Sequence, residues 1–426
     1  TASGSTLYRI IWKWHFLASL YVLPFFFLLS ITGGIYLFKP QIEAFIYHDR
    51  LNVEIQGEMK TLEAQQAAVL AAAQGVRIRS ITTEETAGRS TVFELQDSNR
   101  ERSYAWVNPY TAEVIRIQKR EDTLMYQLKK LHGELLLGKT GTKFVELAAN
   151  WALIMFITGL YLWWPRGKGA WAKVFSLPKG EGRAWWKQTH LLAGILASFL
   201  IIPILISGLP WTDVWGGGLS YVQEKTGQKS PSLRFGGKGV NSVPSENATI
   251  PYNQVITTAV EQGLVTPYEV RPPKGDKGTY WIRSASKNRW EQTELLVDQY
   301  SGTVLKRVNF DDFPVVAKAV SLGISLHQGE LYGWVNVIQN TIAALLGALL
   351  AVSGFVAWWK RKPAGSLGVP AAPNRRVGTG LAVLVVGLGL FLPLMGASLL
   401  VALALDWLLF QRLGWFRNKA ELSGAA

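Results

Sequence analysis

Four long apolar runs set the hydropathy pattern of the chain, at residues 15–38, 144–164, 190–211 and 335–359. Each has about 20 or more mostly apolar residues, the length needed to cross a hydrocarbon core of roughly 30 Å. Tryptophan and basic residues border the runs, as is typical of membrane interfaces. The pattern predicts four transmembrane helices. The first run is too long for the apolar core of a cleaved signal, so we expect a retained span.

A further apolar stretch, residues 378–410, is interrupted by Pro393 and Gly396. Proline and glycine break helices, so this stretch is either one kinked span or a hairpin of two.

Two long polar segments separate the spans, at residues 39–130 and 213–320. Each shows a short helical pattern followed by alternating strand-like stretches and a closing hairpin. The hairpin sequences VNPYTAEV (107–114) and VDQYSGTV (297–304) correspond. We therefore expect two small α+β domains. Residues 216–251 are rich in Gly, Ser and Pro and are interpreted as an irregular loop.

Two segments of the sequence are each repeated once, without gaps. HFLASL at His15 returns as HLLAGI at His190, an offset of 175 residues, and Thr32-Gly33 answers Ser207-Gly208. LHGELLLG around His132 returns as LHQGELYG around His327 at an offset of 195, and TGLYLWW (158–164) answers SGFVAWW (353–359). The repeats predict an internal duplication in which each half is a span, an outer domain, a histidine segment and a second span.

The net charge of +14 is a signal of topology. Lys and Arg cluster before the first span, in residues 166–189 and in residues 361–377, with Glu181 the one acid there. By the positive-inside rule these segments are cytoplasmic and both large polar segments face outward. We expect a multi-pass protein of the lipid bilayer and no nucleic-acid partner.

Four of the five histidines form two equivalent pairs. His15 and His190 begin the first and third spans, and His132 and His327 precede the second and fourth on the outer side. A pseudo-twofold axis would bring each pair together on its own side of the membrane. Two imidazoles per side suit a six-coordinate haem that carries electrons, because no iron position stays open.

The neighbouring residues favour this interpretation. Ser19 and Gly194 follow the inner histidines by four residues, and their small side chains leave room for a flat macrocycle. Lys13 and Lys187 are candidates for pairing with haem propionates. Candidate walls of the inner site are the tryptophans Trp12, Trp14, Trp185 and Trp186.

Other interpretations are weaker or open. A zinc site would need more ligands than two distant histidines, and there is no HExxH motif and no cysteine. A proton relay is compatible with histidine but would not explain the symmetry. His48 has no counterpart in the second half and is expected on the surface. Glu134 and Glu330 are either acceptors for the outer histidines or solvated charges.

The order of these motifs resembles the PepSY-associated transmembrane family: HxxxG/S span with tryptophan just before it, outer domain with a V-[ND]-x-[YT]-x-G/A-x-V hairpin, LHxxLxxG, and a span ending TGLYLWWPR. Within it, the chain is similar to the bacterial inner-membrane siderophore reductases. The resemblance implies two haem b groups ligated by His15, His190, His132 and His327. One departure is Ala112, which stands where a glycine is usual in the hairpin. The second hairpin keeps that glycine as Gly302.

The fold class expected from pattern and resemblance together is a membrane all-α bundle with two PepSY-like outer domains. Its predicted segments are transmembrane helix 1 (1–38), PepSY-like domain 1 (39–130), histidine segment and helix 2 (131–165), cytoplasmic loop (166–189), helix 3 (190–212), periplasmic loop and PepSY-like domain 2 (213–320), histidine segment and helix 4 (321–360), cytoplasmic loop (361–377), C-terminal span or hairpin (378–412) and tail (413–426).

The resemblance implies an oxidoreductase that passes electrons from the cytoplasmic side to a periplasmic ferric siderophore. The chain has no GxGxxG after a strand, so we expect a cytoplasmic or membrane-borne partner to supply the electrons. Two alternatives stay open. One is a membrane anchor for PepSY domains that bind peptides or regulate proteases, and the other is a quinol-linked cytochrome b with another acceptor.

Overall fold

The structure is a computed structural model that describes residues 2–83, 86–166, 176–233, 239–371, 378–406 and 408. The chain divides into two units. The helical unit comprises Thr1–Ile31, Gly133–Leu219 and Ala343–Ala426, and the sheet unit comprises Thr32–His132 and Ser220–Ile342.

Four helices of the described residues are long and apolar enough to cross a membrane: Thr6–Leu37, Gly138–Trp163, Gly182–Trp211 and Trp334–Trp359. The prediction of four apolar helices of membrane-spanning length is confirmed. In chain order the helices are α1 (Ala2–Leu37), α2 (Lys39–Ile46), α3 (His48–Leu51), α4 (Leu62–Ala72), α5 (Leu124–Glu134), α6 (Gly138–Trp163), α7 (Gly182–Gly208), α8 (Val214–Lys225), α9 (Tyr252–Glu261), α10 (Val315–Gln328), α11 (Trp334–Trp359), α12 (Thr379–Phe391) and α13 (Pro393–Asp406).

Small residues bring the helices of the helical unit together. Ala197 of α7 and Ala343 of α11 are buried in one cluster with Phe156 of α6. Phe26 of α1 packs edge-on against Phe156, with ring centroids 5.8 Å apart. Alanine allows close helix approach, and the larger rings fill the remaining space.

A buried carboxylate joins α6 to α8. Glu146 is fully buried, and its two carboxylate oxygens accept hydrogen bonds from the backbone N–H groups of Val214 and Trp215, each at 2.9 Å. The first N–H groups of a helix have no partner within it, so Glu146 caps α8 from another helix.

We expect Glu146→Ala to lower the free energy of unfolding by about 2 kcal/mol, because two backbone donors lose their acceptor. Glu146→Gln should lose less, because the amide oxygen still accepts one bond. Thermal unfolding of the full chain in detergent measures both. Equal melting temperatures for the wild type and the alanine variant would contradict the capping role.

The C-terminal apolar stretch forms two helices, α12 and α13, which meet at Leu392. Gly389 and Gly396 lie so close that a Cβ on Gly396 would be 2.5 Å from the carbonyl oxygen of Gly389. Residues seven apart in a straight helix lie about 10 Å apart. The two helices therefore fold back on each other, in agreement with the hairpin alternative. The predicted tail, residues 413–426, lies outside the described residues.

The sheet unit contains one antiparallel sheet of eight strands. They are β1 (Arg77–Thr83), β2 (Thr91–Gln96), β3 (Arg102–Val107), β4 (Val114–Lys119), β5 (Tyr268–Arg271), β6 (Thr279–Ser284), β7 (Thr293–Asp298) and β8 (Val304–Asn309). Their order is β4-β3-β2-β1-β5-β6-β7-β8. Pairing of β1 with β5 joins the two sets of four strands that the sequence placed in separate domains.

Helices α4 and α9 cover one face of this sheet. Val69 of α4 and Val255 of α9 are fully buried in a core that includes Phe93, Ile282 and Leu295 of the strands. The two helices also contact each other, because the backbone N–H of Tyr252 donates to Glu63 at 2.6 Å. The opposite face, which we call the polar face, carries charged side chains such as Glu269 and Arg283. It also carries a small buried apolar cluster that includes Trp281 and Leu296.

The two predicted hairpin turns have the same geometry. The N–H of Ala112 donates to the carbonyl of Asn108 at 2.8 Å, and that of Gly302 donates to Asp298 at 3.1 Å. The side-chain Oδ1 of each acceptor residue also accepts a hydrogen bond from the backbone N–H of the residue two positions on, Tyr110 or Tyr300. Ala112 and Gly302 have φ of 61° and 75°, the left-handed region. The turn therefore needs a residue with positive φ, and Ala112 adopts it despite its Cβ.

Glu269 of β5 is the centre of a buried ion network on the polar face. It lies 3.0 Å from Arg271 and 2.7 Å from Arg283. Burial alone would raise the pKa of this carboxyl, but Arg283 and then Arg271 outweigh it and the net pKa is lowered.

This lowered pKa predicts an acid-sensitive sheet. A glutamate in the unfolded chain has a pKa of about 4.3, so the stabilisation is complete above that value and is lost as the pH falls through the lower folded pKa. Between about pH 6 and about pH 3, the melting temperature of the wild type should fall more than that of Glu269→Gln. Glu113→Gln, at an exposed position, is the control. Parallel losses in wild type and Glu269→Gln would contradict the assignment.

The expectation of an irregular loop over residues 216–251 was wrong for its first part, because α8 continues to Lys225. Three consecutive glycines suggested a loop, but Glu146 caps the helix and Gly216 has backbone contacts that exclude a side chain: a Cβ there would lie 2.5 Å from the Pro210 carbonyl oxygen. Tertiary contacts outweigh the low helix propensity of glycine.

Candidate functional site

The helical unit encloses a mostly apolar cavity of about 290 Å³ that is lined by both inner histidines. His15 is on α1 and His190 on α7. Small residues from four helices complete the lining near them, namely Ser19, Gly159, Gly194 and Gly354. The structure thus brings together the predicted site residues His15, His190, Ser19 and Gly194.

A hydrogen bond fixes the orientation of His15. Its Nδ1 lies 3.0 Å from the hydroxyl of Thr158 on α6. That hydroxyl donates its only hydrogen to the carbonyl of Ile154 at 2.8 Å, so it accepts from the histidine. This arrangement favours the tautomer with the proton on Nδ1, in which Nε2 is the nitrogen that can bind a metal.

His190 is fixed in the same tautomer by the backbone. Its Nδ1 lies 3.1 Å from the carbonyl oxygen of Leu350 on α11, which can only accept a hydrogen bond. Ligating histidines commonly give the nitrogen that is not bound to metal to such an acceptor. Both inner imidazoles are therefore prepared to bind a metal through Nε2.

Glycines make room for the two rings. A Cβ on Gly354 of α11 would lie 3.0 Å from Cε1 and 3.1 Å from Nδ1 of His190. A Cβ on Gly159 of α6 would lie 3.3 Å from Cε1 of His15. By contrast, a Cβ on Gly194 meets protein only at 3.5 Å, an ordinary contact. Gly194 therefore leaves space in the cavity itself.

The residues that line the cavity differ partly from those predicted. Lys187 and Trp12 line it as predicted, whereas Lys13, Trp14, Trp185 and Trp186 do not. Trp163, which the sequence suggested for the interfacial belt, is also part of the lining. The guanidinium of Arg361 stacks over Trp12 at 5.5 Å. The cavity therefore combines an apolar interior with basic groups at or near its rim.

The sheet unit brings the outer histidines together. The rings of His132 on α5 and His327 on α10 have centroids 6.3 Å apart and planes at 77°. His132 Nδ1 lies 2.9 Å from the hydroxyl of Thr32. A Cβ on Gly33 would lie 3.0 Å from Cε1 of His132. A Thr-Gly dipeptide thus holds His132 just as Thr158-Gly159 holds His15.

Two buried asparagines hold the end of the helix that carries His327. Asn340 donates to the carbonyls of Leu326 at 2.6 Å and His327 at 3.2 Å, and Asn336 donates to Leu326 at 3.2 Å. Gly329, with φ of +74°, ends the helix. These bonds satisfy carbonyls that a helix end leaves unpaired and fix the backbone at His327.

The remaining predicted residues lie elsewhere. His48 is exposed at the start of α3, as expected for a surface residue. Glu330 lies 4.0 Å from Lys287, a contact typical of a partly solvated charge. The backbone carbonyl of Glu134 packs against α6, where a Cβ on Gly141 would come within 1.7 Å of it.

Sequence reasoning did not assign a role to the Thr/Ser-Gly dipeptides. Thr32-Gly33, Thr158-Gly159 and Ser353-Gly354 each supply the helix turn on which one histidine packs. The signal was in the sequence, because these dipeptides recur at the ends of the repeated apolar runs. Only the structure shows which histidine each one contacts.

The residues present fit a bis-histidine haem. A ligating nitrogen lies about 2 Å from its metal and roughly 1 Å from the ring centre, so two imidazoles on opposite sides of one iron have centroids about 6 Å apart. The outer pair shows 6.3 Å. Among the described residues, no group of three His, Asp or Glu side chains is arranged to hold a bare metal ion. Each pair instead offers two imidazoles.

The comparisons with known proteins match most of the chain to one membrane-associated family. The family described as PepSY-associated TM region matches residues 12–361. A search of curated proteins finds no match to the chain. The matched region contains three of the four membrane-capable helices, most of the first and all four paired histidines, and it covers most of the sequence. The chain therefore belongs to the PepSY-associated TM region family.

Proposed function

We propose that the protein is an inner-membrane oxidoreductase that delivers electrons to a periplasmic ferric siderophore. Two haem b groups would supply one-electron carriage, one held by His15 and His190 and the other by His132 and His327. The observation that carries the proposal is the arrangement of four histidines in two pairs: both inner histidines line one cavity, and the outer rings have centroids 6.3 Å apart.

The chain's own residues have separable tasks at the inner pair. Thr158 and the Leu350 carbonyl hold the Nδ1 protons and so direct the Nε2 lone pairs. The mostly apolar lining of the cavity disfavours a charged imidazolium, and ligation requires the neutral imidazole. Lys187 at the cavity can neutralise a propionate.

At the outer pair, Thr32 orients His132, and Asn336 and Asn340 fix the backbone of His327. These contacts orient one imidazole and fix the backbone that carries the other, as a precise metal site requires.

Two further elements belong to this proposal. The halves of the chain are copies of one ancestral unit, because helix α4 with β1–β4 and helix α9 with β5–β8 repeat the same order. The sheet is built from two PepSY-like domains and lies in the periplasm, because basic residues such as Arg183, Lys187 and Arg361 flank the other ends of the spans.

One electron converts Fe(III) to Fe(II), and this electron transfer makes or breaks no covalent bond. Hard oxygen donors hold Fe(II) less strongly than Fe(III), so reduction releases the metal from a siderophore. The chain has no nicotinamide or flavin motif, and the electron therefore comes from a cytoplasmic or membrane-borne donor.

The test is anaerobic mixing of the dithionite-reduced protein with a ferric tris-catecholate, with ferrioxamine B or with a quinone. Reoxidation of the haem bands by a ferric chelate, with Fe(II) trapped by a chromogenic chelator, is the expected result. Reoxidation by quinone alone would favour a quinol-linked cytochrome b instead. A protein that takes up no haem would favour a membrane-anchored peptide-binding or protease-regulating role.

A further inference from the structure

The polar face of the sheet carries a group of cations around a bulge in β1, and these cations outnumber the carboxylates beside them. The bulge falls between Ile78 and Ser80 and makes Arg79 the extra residue in the pairing with β2. Ile78 and Ile81 both face the buried core, so the bulge places Arg79 on the same side as Arg77. β-Bulges commonly re-aim a side chain near functional sites.

Both guanidinium groups converge on one neutral acceptor. Arg77 and Arg79 each donate to Oε1 of Gln96, the latter at 3.0 Å, and Gln96 is only 5% exposed. Arg79 Nε is buried without a hydrogen-bond partner among the described residues. No carboxylate of the described part of the chain lies within ion-pair distance of Arg77 or Arg79. Like charges held together in this way favour a bound anion.

The carboxylates nearest to Arg77 and Arg79 already form ion pairs with other arginines. Glu94 lies 3.3 Å from Arg102 and 3.9 Å from Arg120, and Glu269 bridges two other arginines. Partial burial and then repulsion from Arg77, Arg79 and Arg271 lower the pKa of Lys274, which places its ammonium beside the same group. The cations of this surface, which we call the arginine face, are Arg77, Arg79, Arg102, Arg120, Arg271, Arg283 and Lys274.

The arginine face continues towards the outer histidine pair. Arg271 and Arg283 both stack on Trp281, at 4.2 Å and 5.6 Å. Arg289 follows in the connection to β7, and its Nε donates to Ser325 of α10 at 2.5 Å. Ser325 is fully buried and lies two residues before His327. A row of cations therefore leads across the sheet to the helix of one proposed iron ligand.

We propose that the arginine face binds the oxygen atoms of an anionic ferric chelate, so that the preferred substrate of this protein is a chelate of net negative charge. The inference rests on the proposed function and adds the chemical class of the substrate. Guanidinium groups donate paired hydrogen bonds to catecholate or carboxylate oxygens, which gives geometric selectivity as well as attraction.

Gallium(III) chelates test binding without electron transfer, because gallium(III) is not reduced under these conditions. The full chain in detergent is titrated calorimetrically with gallium(III) tris-catecholate, which is anionic, and with gallium(III) desferrioxamine B, which is cationic. We expect the anionic complex to bind and the double variant Arg77→Gln/Arg79→Gln to weaken it roughly tenfold. Lys306→Gln/Arg307→Gln removes the same charge from exposed positions on β8 and should leave the Kd unchanged.

Two measurements guard against misfolding of the double variant. Lys274→Gln changes an exposed loop residue and should also weaken binding, and binding by the wild type should weaken as salt is raised. Equal losses in the β8 control, tighter binding of the cationic complex, or binding of an oligoglutamate peptide in place of both chelates would overturn the inference.

The outcome is separable from that of the proposed function. If the gallium complex binds through the arginine face but the reduced protein does not reduce ferric chelates, the binding site stands and the reductase falls. If ferric chelates are reduced at the same rate by the wild type and Arg77→Gln/Arg79→Gln, the reductase stands and the arginine face falls.

Discussion

Replacing His190 by alanine should reduce the haem content from two per chain to one. His190 lines the inner cavity opposite His15, and its tautomer is fixed for ligation through Nε2. Without it, the inner site keeps a single imidazole and cannot hold a six-coordinate iron. His15→Ala should have the same effect, whereas His132→Ala and His327→Ala should remove the other haem. Absorption spectra of the reduced protein measure the change.

The control is His48→Ala, because His48 is an exposed histidine of the sheet unit. It should leave both haem spectra intact. If His190→Ala also left both intact, the assignment of the inner pair would be wrong. If each of the four substitutions removed both haems, the two sites would not be independent as the structure implies.

Gly354→Ala should weaken haem retention at the inner site by roughly tenfold or more, the usual cost of disturbing the partners of a metal ligand. The added methyl group would lie 3.0 Å from Cε1 of His190, so the ring must move and its bond to the Leu350 carbonyl must lengthen. Gly33→Ala should act in the same way on His132. Haem occupancy after gel filtration reports both effects. In a redox titration the midpoint identifies each site, and the amplitude of its step gives the amount of haem.

These substitutions separate ligand positioning from helix stability. Alanine has a higher helix propensity than glycine by about 1 kcal/mol, so neither change should weaken the helix itself. Gly387→Ala, in α12, meets no atom within 4 Å and is the matched control. Full haem occupancy in Gly354→Ala and Gly33→Ala would show that the glycines do not position the histidines.

Much of this architecture follows from local patterns in the sequence. Apolar runs of membrane-spanning length predict the helices that contain His15 and His190, and alternation of apolar and polar residues predicts all eight strands. The repeated segments also indicated which histidines pair, because His15 corresponds to His190 and His132 to His327 in them.

What the sequence did not predict depends on contacts between distant residues. The pairing of β1 with β5 joins strands almost 190 residues apart, and alternation does not specify a strand's partner. The acceptors of the imidazole Nδ1 atoms, Thr158 and the Leu350 carbonyl, lie on other helices. The bulge at Arg79 and the capping of α8 by Glu146 are likewise set by neighbours in space.

The central claim is that the chain holds an iron porphyrin between each pair of histidines. A pyridine haemochrome assay on the purified, haem-supplemented protein gives the ratio of haem to chain directly. We predict two haem b per chain, falling to one in His190→Ala and in His327→Ala. A ratio of zero or one in the wild type after saturating supplementation would contradict the account.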